Sequence, residues 1–222
     1  MNQRTLSETV YSIGVMGGTY NPFHDGHARL AESLREEEHF DKILFVPAYD
    51  PPHKNGEEIV EFDKRIHMVE AGTRGNPDFW VSRIEATLPG KSYSFNTIQA
   101  LKKEYPGIQL VFILGRDSWD TLNTWYRYKE ILGLCHFIFV FNSTNDMDFY
   151  WSTGPKDIYD QLTDCGMHHF KHKSGTIIKF IVIPTPKFRS TDIRWLRKQG
   201  RSCRYLVPEP VFELINKWNL YT

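Results

Sequence analysis

Short apolar runs alternate with longer amphipathic stretches along most of this chain, and that alternation constrains the fold more than any other feature. Ser12–Met16, Lys42–Val46, Phe79–Arg83, Gln109–Leu114, His136–Phe141 and Ile177–Ile183 are rich in Val, Ile and Phe and read as strands. Between them, Gly26–Glu38, Phe62–Arg74, Ser94–Tyr105, Trp125–Leu132 and Pro155–Asp164 carry the spacing of a helix. Strand then helix, repeated five times, implies parallel strands joined by crossovers. The expected fold class is α/β, a doubly wound, mainly parallel sheet with helices on both faces. Thr191–Gln199 and Glu209–Trp218 depart from the alternation as two consecutive helices. The chain is therefore expected to divide into an α/β domain over residues 1–186 and a small C-terminal helical subdomain over 187–222.

One stretch is irregular. Asn142–Gly175 mixes Ser, Asn, Asp and Gly with His168, His169 and His172, and reads as an elaborated crossover with a long surface loop. Cys165 with those histidines is either a metal site or a solvated loop, and the spacing matches no standard zinc pattern. Elsewhere composition mainly excludes. Equal numbers of Lys+Arg and Asp+Glu, 27 of each, argue against a nucleic-acid protein that works by bulk charge. Cys135, Cys165 and Cys203 are odd in number and widely spaced, which rules out a disulfide scaffold. No window approaches the roughly 18 apolar residues of a membrane span, and Met1–Val10 lacks the basic start, apolar run and cleavage site of a signal peptide. A cytoplasmic protein with no nucleic-acid and no membrane partner is expected, with room for a homo-oligomer.

The first chemical signal follows the first strand, in Gly17-Gly18-Thr19-Tyr20-Asn21-Pro22-Phe23-His24-Asp25-Gly26-His27. In an open α/β sheet this turn lies at the carboxyl edge of the strands, where ligands bind. Gly17 and Gly18 let the backbone approach a ligand closely, and the helix that follows aims free N–H groups and a positive dipole end into the crevice. His24 and His27 are three apart and can face one spot at that terminus. Two imidazoles beside a glycine turn make a phosphate cradle without a Walker lysine. Near the other end, Phe188-Arg189-Ser190-Thr191-Asp192-Ile193-Arg194 places hydroxyls at a helix start with an arginine one turn on. By themselves the hydroxyls read as a cap; they can equally hold phosphate oxygens, with Arg194 adding a bidentate contact.

The run from Gly17 to His27 resembles the H-x-G-H signature of the nucleotidyltransferase superfamily, which is similar to the nucleotide-binding half of class I aminoacyl-tRNA synthetases, and its Gly-Gly-Thr-Tyr-Asn-Pro-Phe-His form resembles the nicotinate mononucleotide adenylyltransferases. Residues 188–194 are similar to that family's Ser-Ser-Thr-x-Ile-Arg motif, with Arg189 in place of the first Ser, either as an added phosphate contact or directed to solvent. Arg204-Tyr205-Leu206-Val207-Pro208-Glu209 resembles a C-terminal packing segment of the family. Four internal segments resemble the nicotinate branch: Pro51-Pro52-His53-Lys54; Arg65 and Met68; Glu85 with Gly90, Ser92, Tyr93, Ser94 and Thr97; and Gly115-Arg116-Asp117, with Trp125-Tyr126 completing the set. After the fifth strand, where the family continues into Arg-Pro-Gly, this chain reads Phe141-Asn142-Ser143-Thr144.

The resemblance implies a Rossmann-like enzyme that transfers AMP from ATP to nicotinate mononucleotide, giving deamido-NAD and pyrophosphate in NAD biosynthesis. It implies His24, His27 and Arg194 as catalytic groups, with ATP bound by Gly17, Gly18, Thr19, His24, His27, Ser190, Thr191 and Arg194. For the mononucleotide it implies His53 and Lys54 toward the phosphate, Asp117 toward a ribose hydroxyl, Trp125 stacked on the pyridine, and Tyr93, Ser94 and Tyr126 as further contacts. No protein metal site is implied; Mg²⁺ arrives with ATP. Three alternatives remain: nicotinamide mononucleotide as equal or preferred acceptor, a phosphopantetheine adenylyltransferase, and a non-catalytic nucleotide sensor.

Overall fold

The computed structural model describes residues 11–52, 59–144 and 150–222. In chain order the elements are β1 (Ser12–Gly18), α1 (Asp25–Glu37), β2 (Lys42–Pro47), α2 (Phe62–Thr73), β3 (Phe79–Val81), α3 (Ser94–Glu104), β4 (Gln109–Gly115), α4 (Arg116–Asp120), α5 (Tyr128–Ile131), β5 (His136–Phe141), α6 (Tyr150–Thr153), β6 (Leu162–Asp164), β7 (His169–His172), β8 (Ile177–Val182), α7 (Ser190–Lys198) and α8 (Glu209–Lys217). The eight strands form one sheet in the order β3-β2-β1-β4-β5-β8-β7-β6. From β3 through β8 every pairing is parallel; β7 and β6 add an antiparallel edge. The mainly parallel α/β sheet expected from the sequence is the sheet observed.

Side chains alternate between the two faces of the sheet, as strand geometry requires. Ile13 and Val15 of β1, Phe112 of β4 and Phe137 and Phe139 of β5 point to one face, covered by α3 through Phe95, Ile98 and Leu101. Met16, Ile43, Val111, Ile113 and Ile138 point to the other, covered by α1 and α2 and by Ile193 of α7 and Val211 and Ile215 of α8. Each fully buried side chain of this size stabilises the fold by roughly 1.5–3 kcal/mol.

Three segments differ from expectation. Trp125–Leu132 is not one helix: Trp125 is extended, Arg127 sits in the left-handed region at φ 54°, and only Tyr128–Ile131 is helical. Pro155–Asp164 is a 3-10 helix over Lys156–Gln161 followed by β6, because Leu162–Asp164 pairs with Phe170–His172. The region expected as a long loop thus extends the sheet. Phe170 and His172 alternate inward with Lys171 outward, a strand pattern too short to stand out in sequence. His172 is buried with Nδ1 2.7 Å from the Ser174 hydroxyl, and among the described residues no group of three His, Cys, Asp or Glu could hold a metal ion. No helix among the described residues is long and apolar enough to cross a membrane.

The topology positions the site. From β1 the chain moves to β2 on one side and later returns to β4 on the other, so the loops after β1 and β4 diverge. That switch point opens a crevice at the carboxyl edge.

Candidate active site

Beyond β1, the loop through Tyr20 (φ 49°) delivers His24 as the N-cap of α1, in extended conformation, and His27 as its third residue. The two imidazoles stack with centroids 3.6 Å apart and planes 19° apart. Phe23 stacks on His27 and Phe188 meets His24 edge-on. The His24 ring lies over Gly26, where a Cβ would come within 3.0 Å of its Cε1 and Nδ1. The glycine of the motif thus makes room for the histidine.

Electrostatics follows from this packing. His24 is 6% exposed, and burial lowers its pKa to about 4 despite the opposing field of Asp192. Burial and the neighbouring His24 hold His27 well below the usual range. Both are neutral near pH 7. The His24 backbone N–H donates to His27 Nδ1 at 3.2 Å, so neutral His27 carries its proton on Nε2. His24 Nδ1 is buried without a protein partner. A neutral pair at a helix N-terminus gives one ring N–H per imidazole and a positive dipole end, suited to an incoming anion.

The start of α7 closes against the same loop. Ser190 donates its hydroxyl proton to the Pro22 carbonyl at 2.9 Å, and Arg194 donates from Nη1 to the Asn21 carbonyl at 2.9 Å. Asp192 accepts from the Arg189 N–H at 2.7 Å and so caps the helix from its third position. Thr191 and Arg189 are exposed. Ser190 and Arg194 are thereby brought to the His24 loop across more than 160 residues of sequence.

Beside the glycine turn lies a cavity of about 240 Å³ whose wall includes Gly17, Gly18, Thr19, Tyr93, Ser94, Trp125 and Tyr126. Seven residues that sequence reading placed in two substrate sites therefore share one cavity. Tyr93 and Tyr126 stack at 4.8 Å, and Trp125 packs against the core beneath. α3 begins at Ser94, so the positive end of its dipole faces the cavity wall. Asp117 is exposed at the first turn of α4, beside the cavity residue Ser118. His53 and Lys54 lie outside the described residues.

Two buried ions hold this wall together, and sequence reading assigned neither a site role. Glu85 lines the cavity, accepting from the Thr97 hydroxyl at 2.7 Å and the Tyr49 N–H at 3.1 Å. Arg65, 1% exposed, donates to the carbonyls of Val60 and Thr19 at 2.7 Å and of Tyr49 at 3.3 Å. Its guanidinium ties the glycine turn to the segment after β2. The sequence signal available was a charged residue at a core position of α2, between Phe62 and Ile66.

Comparison with known proteins gives consistent likenesses. The family model described as cytidylyltransferase-like matches residues 15–195. A Geobacter sulfurreducens protein named "probable nicotinate-nucleotide adenylyltransferase" is 39% identical over 209 residues, 94% of this chain and 97% of its own. A Pelobacter propionicus protein of the same name is 39% identical over 211 residues, 95% of this chain and 98% of its own. Among solved structures, Plasmodium falciparum nicotinic acid mononucleotide adenylyltransferase complexed with NaAD superposes with a TM-score of 0.72 over 95% of this chain and 97% of that one. At 15% identity that last likeness concerns the fold.

Proposed function

The chain belongs to the cytidylyltransferase-like family and, within it, to the nicotinate-nucleotide adenylyltransferases, and from that premise we propose that it transfers AMP from ATP to nicotinate mononucleotide. The observation that carries the proposal is the shared glycine turn: Gly17, Gly18 and Thr19 line the aromatic cavity and lead into the loop that bears the histidine pair. Two substrates can meet there end to end.

In this reading a phosphate oxygen of the mononucleotide attacks the α-phosphorus of ATP. The new O–Pα bond forms as the bond to the β-phosphate breaks, and pyrophosphate leaves with the electron pair. The nucleophile has a second pKa near ~6 and is already substantially ionised at neutral pH, so no side-chain base is required. The chain contributes alignment and charge neutralisation. His27 Nε2–H, the α1 N-terminus, Ser190, Thr191 and Arg194 face the triphosphate, with residues 187–222 acting as a subdomain that completes the ATP site of residues 1–186. Mg²⁺ would arrive with ATP and would supply charge neutralisation on its phosphates.

Tyr93, Ser94, Trp125 and Tyr126 surround the pyridine, whose positive ring favours an aromatic face. The dipole of α3 at Ser94 favours a carboxylate over a carboxamide, which supports the acid as acceptor. Asp117 is the ribose acceptor, and His53 and Lys54 the mononucleotide-phosphate contacts. The test is pyrophosphate release by the purified protein with ATP, Mg²⁺ and either mononucleotide. Strong release with the acid and little with the amide is expected. Comparable rates would overturn the acid preference, and release with neither would overturn the activity.

A further inference from the structure

The structure assigns a positioning role to the Tyr221 hydroxyl: through the Asn21 side chain it holds the Asn21–Pro22 carbonyls that seat Arg194 and Ser190, and so sets the ATP-facing end of α7. This deepens the proposed function, which makes Arg194 and Ser190 phosphate-binding groups, and rests on it. Tyr221 donates to Asn21 Oδ1 at 2.8 Å, and the two residues are 8% and 1% exposed. The same oxygen accepts from the Val60 N–H at 3.3 Å. On the backbone side, the Asn21 carbonyl accepts from Arg194 and the Pro22 carbonyl from Ser190. Asn21 therefore lies between Tyr221 on one side and the arginine on the other.

The chain strains to achieve this. Tyr221 sits at φ 65°, in the left-handed region that bulky residues avoid. The turn beyond α8 carries its ring into the core cluster of the sheet face that bears α1 and α2. Burial raises the phenol's pKa, so the hydroxyl remains a donor throughout the working pH range. Replacing OH by H leaves the ring's packing intact and removes the bond that Tyr221 donates to the Asn21 side chain.

The experiment is Tyr221→Phe in the full chain, alone and on Arg194→Lys, with Thr222→Ala as a control at an exposed neighbour. Tyr221→Phe is expected to lower kcat/KM for ATP about tenfold while KM for the mononucleotide stays within twofold. On Arg194→Lys the same change should cost less than the tenfold seen alone, because part of its effect runs through the arginine and the rest through Ser190. Unchanged kcat/KM for ATP, or a full tenfold loss in the Arg194→Lys background, would overturn the role. Asn21→Ser breaks the same bond from its other end and must reproduce the loss if Tyr221→Phe fails to fold. Calorimetric titration with Mg-ATP separates this inference from the proposed function. Wild-type protein that binds ATP but serves neither mononucleotide sinks the function, while weaker ATP binding by Tyr221→Phe upholds the positioning role. Wild-type protein that does not bind ATP overturns both.

Discussion

Acid should weaken this fold through His24 in particular. Burial holds the imidazole at about 4 against an ordinary 6.5, so between those values the unfolded chain binds a proton that the folded chain refuses. The stabilisation is fully present above pH 6.5 and is lost as pH falls toward 4. At about pH 5 the two values give a loss of about 2 kcal/mol relative to pH 7.5. His24→Asn removes this dependence. It also removes the neighbour that helps depress His27, so the difference in slope between wild type and variant should be at least that large. Urea unfolding followed by tryptophan fluorescence at the two pH values measures it. With an m-value of about 2 kcal/mol/M, the wild-type midpoint should fall about 1 M further than the variant's. Carboxylates titrate in both proteins and cancel in the comparison. Parallel stability curves from pH 7.5 to 5 would refute the claim that the stacked pair is buried in its neutral form.

Two further outcomes bear on the chemistry. His27→Ala should lower kcat/KM by at least ~2.7 kcal/mol, the scale of losing one transition-state donor; near-wild-type steady-state rates would remove His27 from the mechanism. Trp125→Ala should raise KM for the mononucleotide about tenfold, from the ~1–2 kcal/mol of a cation–π wall, and leave KM for ATP within twofold; an equal rise for both substrates would place Trp125 in general packing.

The sheet was legible because β1, β2, β4 and β5 are mostly buried apolar runs and β8 is rich in Ile and Phe, each long enough to read without a partner. The β6–β7 edge was not, because Leu162–Asp164 becomes a strand only by pairing with Phe170–His172. Tyr128–Ile131 helped Trp125–Leu132 read as a helix, but the left-handed Arg127 interrupts it, and nothing in side-chain periodicity reports a φ. At the site, the glycine turn, the histidine pair and the Ser190–Arg194 segment stand out as contiguous motifs. Arg65, Glu85, Asn21 and Tyr221 work through bonds to segments distant in sequence, and one sequence does not show which distant partners such residues reach.

The bond from Tyr221 to Asn21 spans 200 positions, and those from Arg194 and Ser190 span 173 and 168. A chain emerging from the ribosome completes its first strand and both histidines early, at about 5–20 residues per second. It cannot close the crevice until Ser190, Arg194 and Tyr221 have also been made. Chains that have not yet reached residues 190–221 would therefore carry the histidine pair without the groups that meet it, and nucleotide binding would begin only after those residues emerge.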